Sequence, residues 1–267
     1  MEIIGYLAAA LTGISLGLIG GGGSILTLPV LVYLFGIAPA PATSYSLFIV
    51  GITSLIGAWN SHRKQDVSMQ TAFLFGLSSI LTVFLTRKFL LPAIPEKIFL
   101  TNTFYLTKSL LIMMLFAVLM LAAAVSMISD REQVSGEEII TAPKKINFWK
   151  LLLYGLLIGI VTGLLGAGGG FLLIPALVIL VGLPMKKAIG TSLLIIALNS
   201  LIGFMGDIGH FQIDWIFLLK IAAMAIAGIL VGGLLSRKIS GEKLKVAFGW
   251  FVGVMAVYII IHELFIG

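Results

Sequence analysis

The chain has 267 residues, 60% of them hydrophobic and 10% charged, with a mean hydropathy of +1.16 and apolar runs too long for a soluble core, so its expected setting is the lipid bilayer. The net charge of +6 does not imply a nucleic-acid partner, because Lys and Arg collect in loops beside apolar runs, as orientation signals do. With no cysteine, disulfides, thiolate metal sites and thiol catalysis are excluded.

In chain order, Met1 and Glu2 lack the basic stretch of a signal peptide, so the apolar segment Ile3 to Ile19 is expected to be retained. The cluster Gly20 to Gly23 interrupts it, and a shorter segment, Ser24 to Gly36, follows. Contiguous glycines cost about 1 kcal/mol each against alanine in a helix, so a break is expected there. The two segments could form half-crossing helices that dip in and return, or one span plus a tilted short helix. Ala38 to Ala42 reads as a loop, Thr43 to Trp59 as a span, Asn60 to Asp66 as a polar stretch and Thr71 to Leu85 as a further span. Arg87, Lys88, Pro92 and Pro95 are expected to close that span before a helix from Leu106 to Ile128. Ser129 to Asn147 is the one sizeable hydrophilic linker, with Asp130, Arg131, Glu132, Glu137, Glu138, Lys144 and Lys145.

The pattern then starts again. Setting Gly13 over Gly159 aligns Gly17 with Gly163, Gly20 with Gly166, Gly22 with Gly168, Gly23 with Gly169 and Pro29 with Pro175. The same offset, without a gap, pairs Gly36 with Gly182, Ser46 with Ser192, Ser54 with Ser200 and Gly57 with Gly203. Shared composition would give similar frequencies but no common register, so the chain is read as a duplication, residues 1–135 and 136–267. Basic residues have changed loops between the copies: Arg63 and Lys64 face a counterpart, Gly206 to Ile213, that has none, and Lys186 and Lys187 stand where the first copy has Pro39 to Pro41. Under the positive-inside rule equivalent loops then face opposite sides. The expected fold is an all-α integral membrane protein of two inverted repeats, each a glycine-broken helical hairpin plus three spanning helices. Arg63, Lys64, Arg131, Lys144, Lys145, Lys150, Lys186, Lys187, Arg237, Lys238, Lys243 and Lys245 would lie inside; Arg87, Lys88, Lys97, Lys108 and Lys220 would lie outside.

Broken helices at bilayer depth line cavities, and the N-terminus after a break suits an anion. The expected substrate contacts at the breaks are Gly21, Gly22, Gly23 and Ser24 in the first copy and Gly168, Gly169 and Gly170 in the second. Gly13, Gly17, Gly159 and Gly163, four residues apart, instead suit close helix packing. A P-loop is excluded, since no Lys-Ser/Thr follows the glycines. An oxyanion leaving water needs several neutral donors, and Ser46, Thr53, Thr191, Ser192 and Asn199 recur at helical spacing to supply them, with Ser44, Tyr45, Ser54 and Ser200 beside them. Ser46 and Ser192 are the favoured pair because they are equivalent in the two copies. His62 and His210 read as interfacial, and no metal, cofactor or catalytic set emerges.

The two copies resemble the repeated motif of the TauE/SafE family of sulfite and organosulfonate exporters, over nearly the whole chain. The resemblance rests on the glycine runs leading to Pro29 and Pro175, on Lys187 to Ser192, and on Gly209, His210 and Ile213 to Trp215. The first copy departs from it: Ser44, Tyr45 and Ser46 replace Gly-Thr-Ser, and Arg63 and Lys64 replace Gly209 and His210. The resemblance implies a small anion, sulfite or an organosulfonate such as sulfoacetate first, exported across the plasma membrane by alternating access. Another oxyanion, an amino acid or a metal ion as substrate, and a membrane scaffold, are the alternatives. No carboxylate falls mid-span, so an uncoupled, voltage-driven carrier is expected. The oligomeric state is left open, with a homodimer as one option.

Overall fold

The computed structural model describes residues 2–101, 104–129, 148–210, 212–235 and 241–265. The linker charges, the repeat boundary at 135/136 and Arg237 and Lys238 lie outside them. Helix α1 (Glu2–Ile19) runs into a tight 3-10 stretch (Gly20–Leu26), then α2 (Thr27–Pro29) and a π turn (Val30–Leu34). The long helices α3 (Pro39–Arg63) and α4 (Met69–Leu85) follow, and α4 continues through a π turn (Thr86–Leu90) into α5 (Leu91–Ala93). After α6 (Lys108–Ser129), the second half repeats the order with α7 (Phe148–Leu165), α8 (Gly170–Ala176), α9 (Met185–Asp207), α10 (Trp215–Leu235) and α11 (Gly241–Phe265). Among the described residues, five helices are long and apolar enough to cross a membrane: α3, Met69–Ala93, Lys108–Ser126, α9 and α10.

Several boundaries differ from the sequence reading. Pro39 begins α3 instead of lying in a loop, since proline suits the first helical turn, where its missing N–H has no partner to lose. At its other end α3 runs to Arg63, absorbing half of the polar stretch. Arg87 and Lys88 do not close the fourth helix; the chain stays helical to Ala93. The connection to α6 contains two paired antiparallel strands, Lys97–Thr101 with Phe104–Thr107, the other elements among the described residues being helical.

The glycine-broken segments double back. Phe35 packs edge-on against Tyr6 with ring centroids 5.6 Å apart, while Gly23 lies against Ser15 and Leu16, so the chain returns along α1 towards its start. Each hairpin ends alike: Gly36 and Gly182 take left-handed φ of 67° and 73°, and Ile37 and Leu183 donate back to Leu31 and Leu177.

The contacts between the halves come in matched pairs. Gly13 of α1 lies on Ala225 of α10, and its counterpart Gly159 of α7 lies on Ser79 of α4, the counterpart of Ala225. Gly17 on Ile229 is repeated by Gly163 on Val83, and Gly20 on Ile189 by Gly166 on Thr43. The register seen in the sequence up to Gly203 thus extends in space through α4 and α10. At the centre, α3 and α9 cross antiparallel: Gly51 meets Leu201, Leu47 meets Gly203, and Ser61 meets Gly190. Equivalent helices of the two halves thus run antiparallel where they cross. The antiparallel crossing also brings Arg63 and Lys64, at the end of α3, to the same end of the molecule as Lys186 and Lys187, at the start of α9, all four exposed.

Burial grades outward from this pair. Two-thirds of the best apolar window of α3 and of α9 is buried (67% each), against 33 to 39% for α4, α6 and α10. The outer helices present Phe73, Leu77, Leu81, Ile216, Leu219 and Leu234 to their surroundings, as lipid contact demands. The central pair instead buries Thr43, Ser44, Ser46, Thr53, Ser54, Thr191, Ser192, Asn199 and Ser200.

Candidate functional site

The two glycine breaks meet each other across the centre. A Cβ on Gly21 would stand 2.6 Å from Gly170 Cα and 2.5 Å from Ile196 Cδ1, so only glycine permits the approach. Gly20 and Gly166, equivalent in the two halves, both take left-handed φ, 74° and 69°, which a side chain would strain by about 1–3 kcal/mol. Beyond those points the breaks differ. The first winds as a 3-10 stretch that holds Gly21, Gly22 and Gly23, and Ser24 Oγ closes it by donating to the Gly21 carbonyl at 2.8 Å. The second is a turn in which Gly168 and Gly169 are also left-handed, at 68° each, and from which α8 starts at Gly170. Gly169 lies against Thr162, and Gly168 against Val50, Ile196 and the Ser200 hydroxyl.

The hydroxyls and amides divide into two groups. Thr53 donates to the Ile49 carbonyl and Ser192 to the Ile189 carbonyl at 2.8 Å, each within its own helix. Thr191 Oγ1 accepts from the Ser68 N–H at 2.9 Å, just ahead of α4, and so joins α9 to α4. Tyr45 Oη accepts from the Asp214 N–H at 2.8 Å. These side chains already have partners.

Ser46, Ser54, Ser200 and the Nδ2 of Asn199 are fully buried and have none, and neither have Thr27 and Thr162, which flank the breaks, while the Ser44 hydroxyl is turned to the Asp207 carboxylate. Asn199 is fixed by its other end, where Oδ1 accepts from Ser79 Oγ of α4 at 3.0 Å, leaving the amide hydrogens free. A buried polar group without a partner costs about 1–3 kcal/mol, and these donors sit on the two crossing helices at the centre, Ser200 among them touching Gly168 of the second break. Of the expected pair Ser46 and Ser192, the structure leaves only Ser46 free. Ser54 and Ser200, equivalent to each other, form the better symmetric pair.

Arg87 is the residue that sequence reasoning placed wrongly. It is not an exposed loop charge: its side chain is fully buried, and Nη1 lies 3.0 Å from Asp207 Oδ2 at the end of α9 and donates to Thr43 Oγ1 at 3.0 Å. Lys88, the next residue, stays exposed and rests its ammonium over Phe84 and Phe89 at 5.4 and 5.7 Å. The available signal was spacing: Arg87 follows the helical face of Ser79 and Val83, which points at α9. Burial of Arg87 against Asp207 takes one of the two exceptions to the basic-end assignment out of the exposed charges, and Lys88 remains as the other.

Residues 5–259 match the sequence model of the family described as Sulfite exporter TauE/SafE. The chain belongs to the TauE/SafE family. Among its curated relatives, a probable membrane transporter protein of Xylella fastidiosa (strain 9a5c) is 30% identical over 95% of this chain and 92% of its own length. Another from Methanocaldococcus jannaschii is 25% identical over 97% and 94%, and YdhB of Bacillus subtilis, also a probable membrane transporter protein, 26% over 90% and 93%. No solved structure matches the chain. Membership of TauE/SafE makes this a multi-pass membrane transporter and not an enzyme. Among the described residues, Ser200 at Gly168 and Thr162 at Gly169 are unpaired hydroxyls that touch a glycine break.

Proposed function

We propose that the protein exports a small oxyanion, sulfite or an organosulfonate such as sulfoacetate, across the plasma membrane by alternating access around a midplane site at the two glycine breaks. The observation that carries this reading is the set of buried, unpartnered donors on the crossing helices α3 and α9, Ser46, Ser54, Ser200 and Asn199 Nδ2, of which Ser200 touches Gly168 of the second break. An oxyanion accepts several hydrogen bonds at once, and neutral hydroxyls, amides and backbone N–H groups hold it without the grip of a full positive charge. Gly21, Gly22, Gly23 and Ser24 with Thr53 on one side, and Gly168, Gly169, Gly170, Thr191, Ser192 and Asn199 on the other, make up the proposed binding region. Back-bonded Ser24, Thr53 and Ser192 shape it through their helices.

In this reading residues 1–135 and 136–267 are inverted repeats, the hairpins are re-entrant, and the end carrying Arg63, Lys64, Lys186 and Lys187 is cytoplasmic. The direct Gly21–Gly170 contact is then a closed conformation, and the breaks must separate for the anion to pass. Export of an anion through an inside-negative potential releases about 2.3 kcal/mol per elementary charge per 100 mV, so no coupling ion is needed. The test is uptake of labelled sulfite and sulfoacetate into liposomes holding the purified protein, with chloride, sulfate and amino acids as competitors. The expected result is saturable sulfur-oxyanion flux blocked by other oxyanions and not by amino acids. Flux of amino acids or metal ions alone would replace this substrate class.

A further inference from the structure

The Arg87–Asp207 pair breaks the two-fold match of the halves. Carried forward in the same register, Arg87 corresponds to Gly233 and Asp207 to Ser61, so the register carries no matching ion pair to the opposite end of the molecule. Thr43, which accepts from Arg87, also touches Gly166 at the edge of the second break, its Cβ 2.6 Å from where a Gly166 Cβ would stand. The matching contact of the first break, Gly20, is the apolar side chain of Ile189. A polar route therefore runs from the second break through Thr43 to Arg87, and its counterpart is closed by a hydrocarbon.

Arg87 is also under-used. Nη1 serves both Thr43 and Asp207, while Nε and Nη2 are buried without a partner. A guanidinium presents its donors as a planar fork fitted to two oxygens of one anion, and here most of the fork is idle. Asp207, for its part, faces other positive or protonatable groups, His210 and Lys108, besides Arg87. Its carboxylate can change partners without being left alone.

Building on the carrier reading, we propose that Arg87 is a second oxyanion seat at the mouth of the second glycine break, filled in this structure by the Asp207 carboxylate, and that the transported anion displaces Asp207 from it. The two mouths of the pathway are then unequal: one opens by an exchange of anions on Arg87, the other by parting apolar contacts.

The experiment compares wild type, Asp207→Asn and the double variant Arg87→Met/Asp207→Asn for labelled sulfite flux in proteoliposomes and sulfite binding in nanodiscs. An amide competes weakly for the guanidinium, so Asp207→Asn is expected to bind sulfite about tenfold tighter and to turn over more slowly. The double variant removes the seat while keeping the interior neutral, and its flux is expected to fall about tenfold with size-exclusion behaviour intact. A buried ion pair that is only structural tolerates apolar replacement, so wild-type flux in the double variant would overturn the proposal. Unchanged sulfite affinity in Asp207→Asn would overturn it too, and decides the matter alone should the double variant fail to fold. If wild type moves no anion, the carrier reading itself fails and takes the seat with it; wild-type flux with unaltered variants removes the seat alone.

Discussion

The first and second glycine breaks occupy equivalent places and make equivalent contacts, Gly20 on Ile189 and Gly166 on Thr43, yet they are not built alike. The first is a continuous 3-10 stretch closed by Ser24; the second is an open turn with left-handed Gly168 and Gly169, touching Ser200 and leading by Thr43 to Arg87. What the halves share is what packing requires, the small residues where helices cross. What they do not share is chemistry. The two halves carry small residues at equivalent helix crossings and differ in the polar groups beside their breaks.

The sharpest way to break the comparison is to fill the breaks. Gly168→Leu would force a side chain into left-handed backbone against Val50, Ile196 and Ser200, and Gly21→Leu would collide with Gly170; both should reduce flux to that of empty liposomes. Membrane-extracted protein assayed by size exclusion separates lost transport from lost folding. Next come the unpaired donors: Ser46→Ala, Ser200→Ala and Asn199→Ala should each lower flux about tenfold, whereas back-bonded Ser192→Ala and Thr53→Ala should change it less than about twofold, measured as initial rates. Gly13→Val and Gly159→Val test the scaffold, since each meets backbone of the facing helix; they should lower thermal stability by similar amounts in detergent melts. The gentlest probe is topology. The exposed residues His62 and His210, replaced singly by cysteine in this cysteine-free chain, should be labelled by an impermeant maleimide from opposite sides of the membrane.

Most of the scaffold could be read in advance because glycine and proline act through the backbone, and their spacing survives as a register. The pairing of Gly13 with Gly159 in sequence became matched crossings in space. The hairpin of residues 97–107 escaped notice because a short apolar stretch has no period that separates strand from helix. The site was legible only in kind. Sequence could name Ser46, Ser192, Thr53 and Asn199 as hydroxyl and amide candidates, but which of them bonds its own helix depends on rotamers set by packing. Arg87 was misread for a similar reason: beside Lys88 it looks like half of a basic cluster, and its partner Asp207 lies in the other half of the chain.

The most direct test of the account is sulfite efflux from proteoliposomes under a potassium-valinomycin potential, with pH first equal on both sides and then stepped, for wild type and Gly168→Leu in parallel. The expected result is wild-type efflux that rises with an inside-negative potential, persists without a proton gradient and disappears in the variant. Efflux indifferent to voltage but driven by the pH step, or undiminished in Gly168→Leu, would contradict uncoupled anion export through the paired glycine breaks.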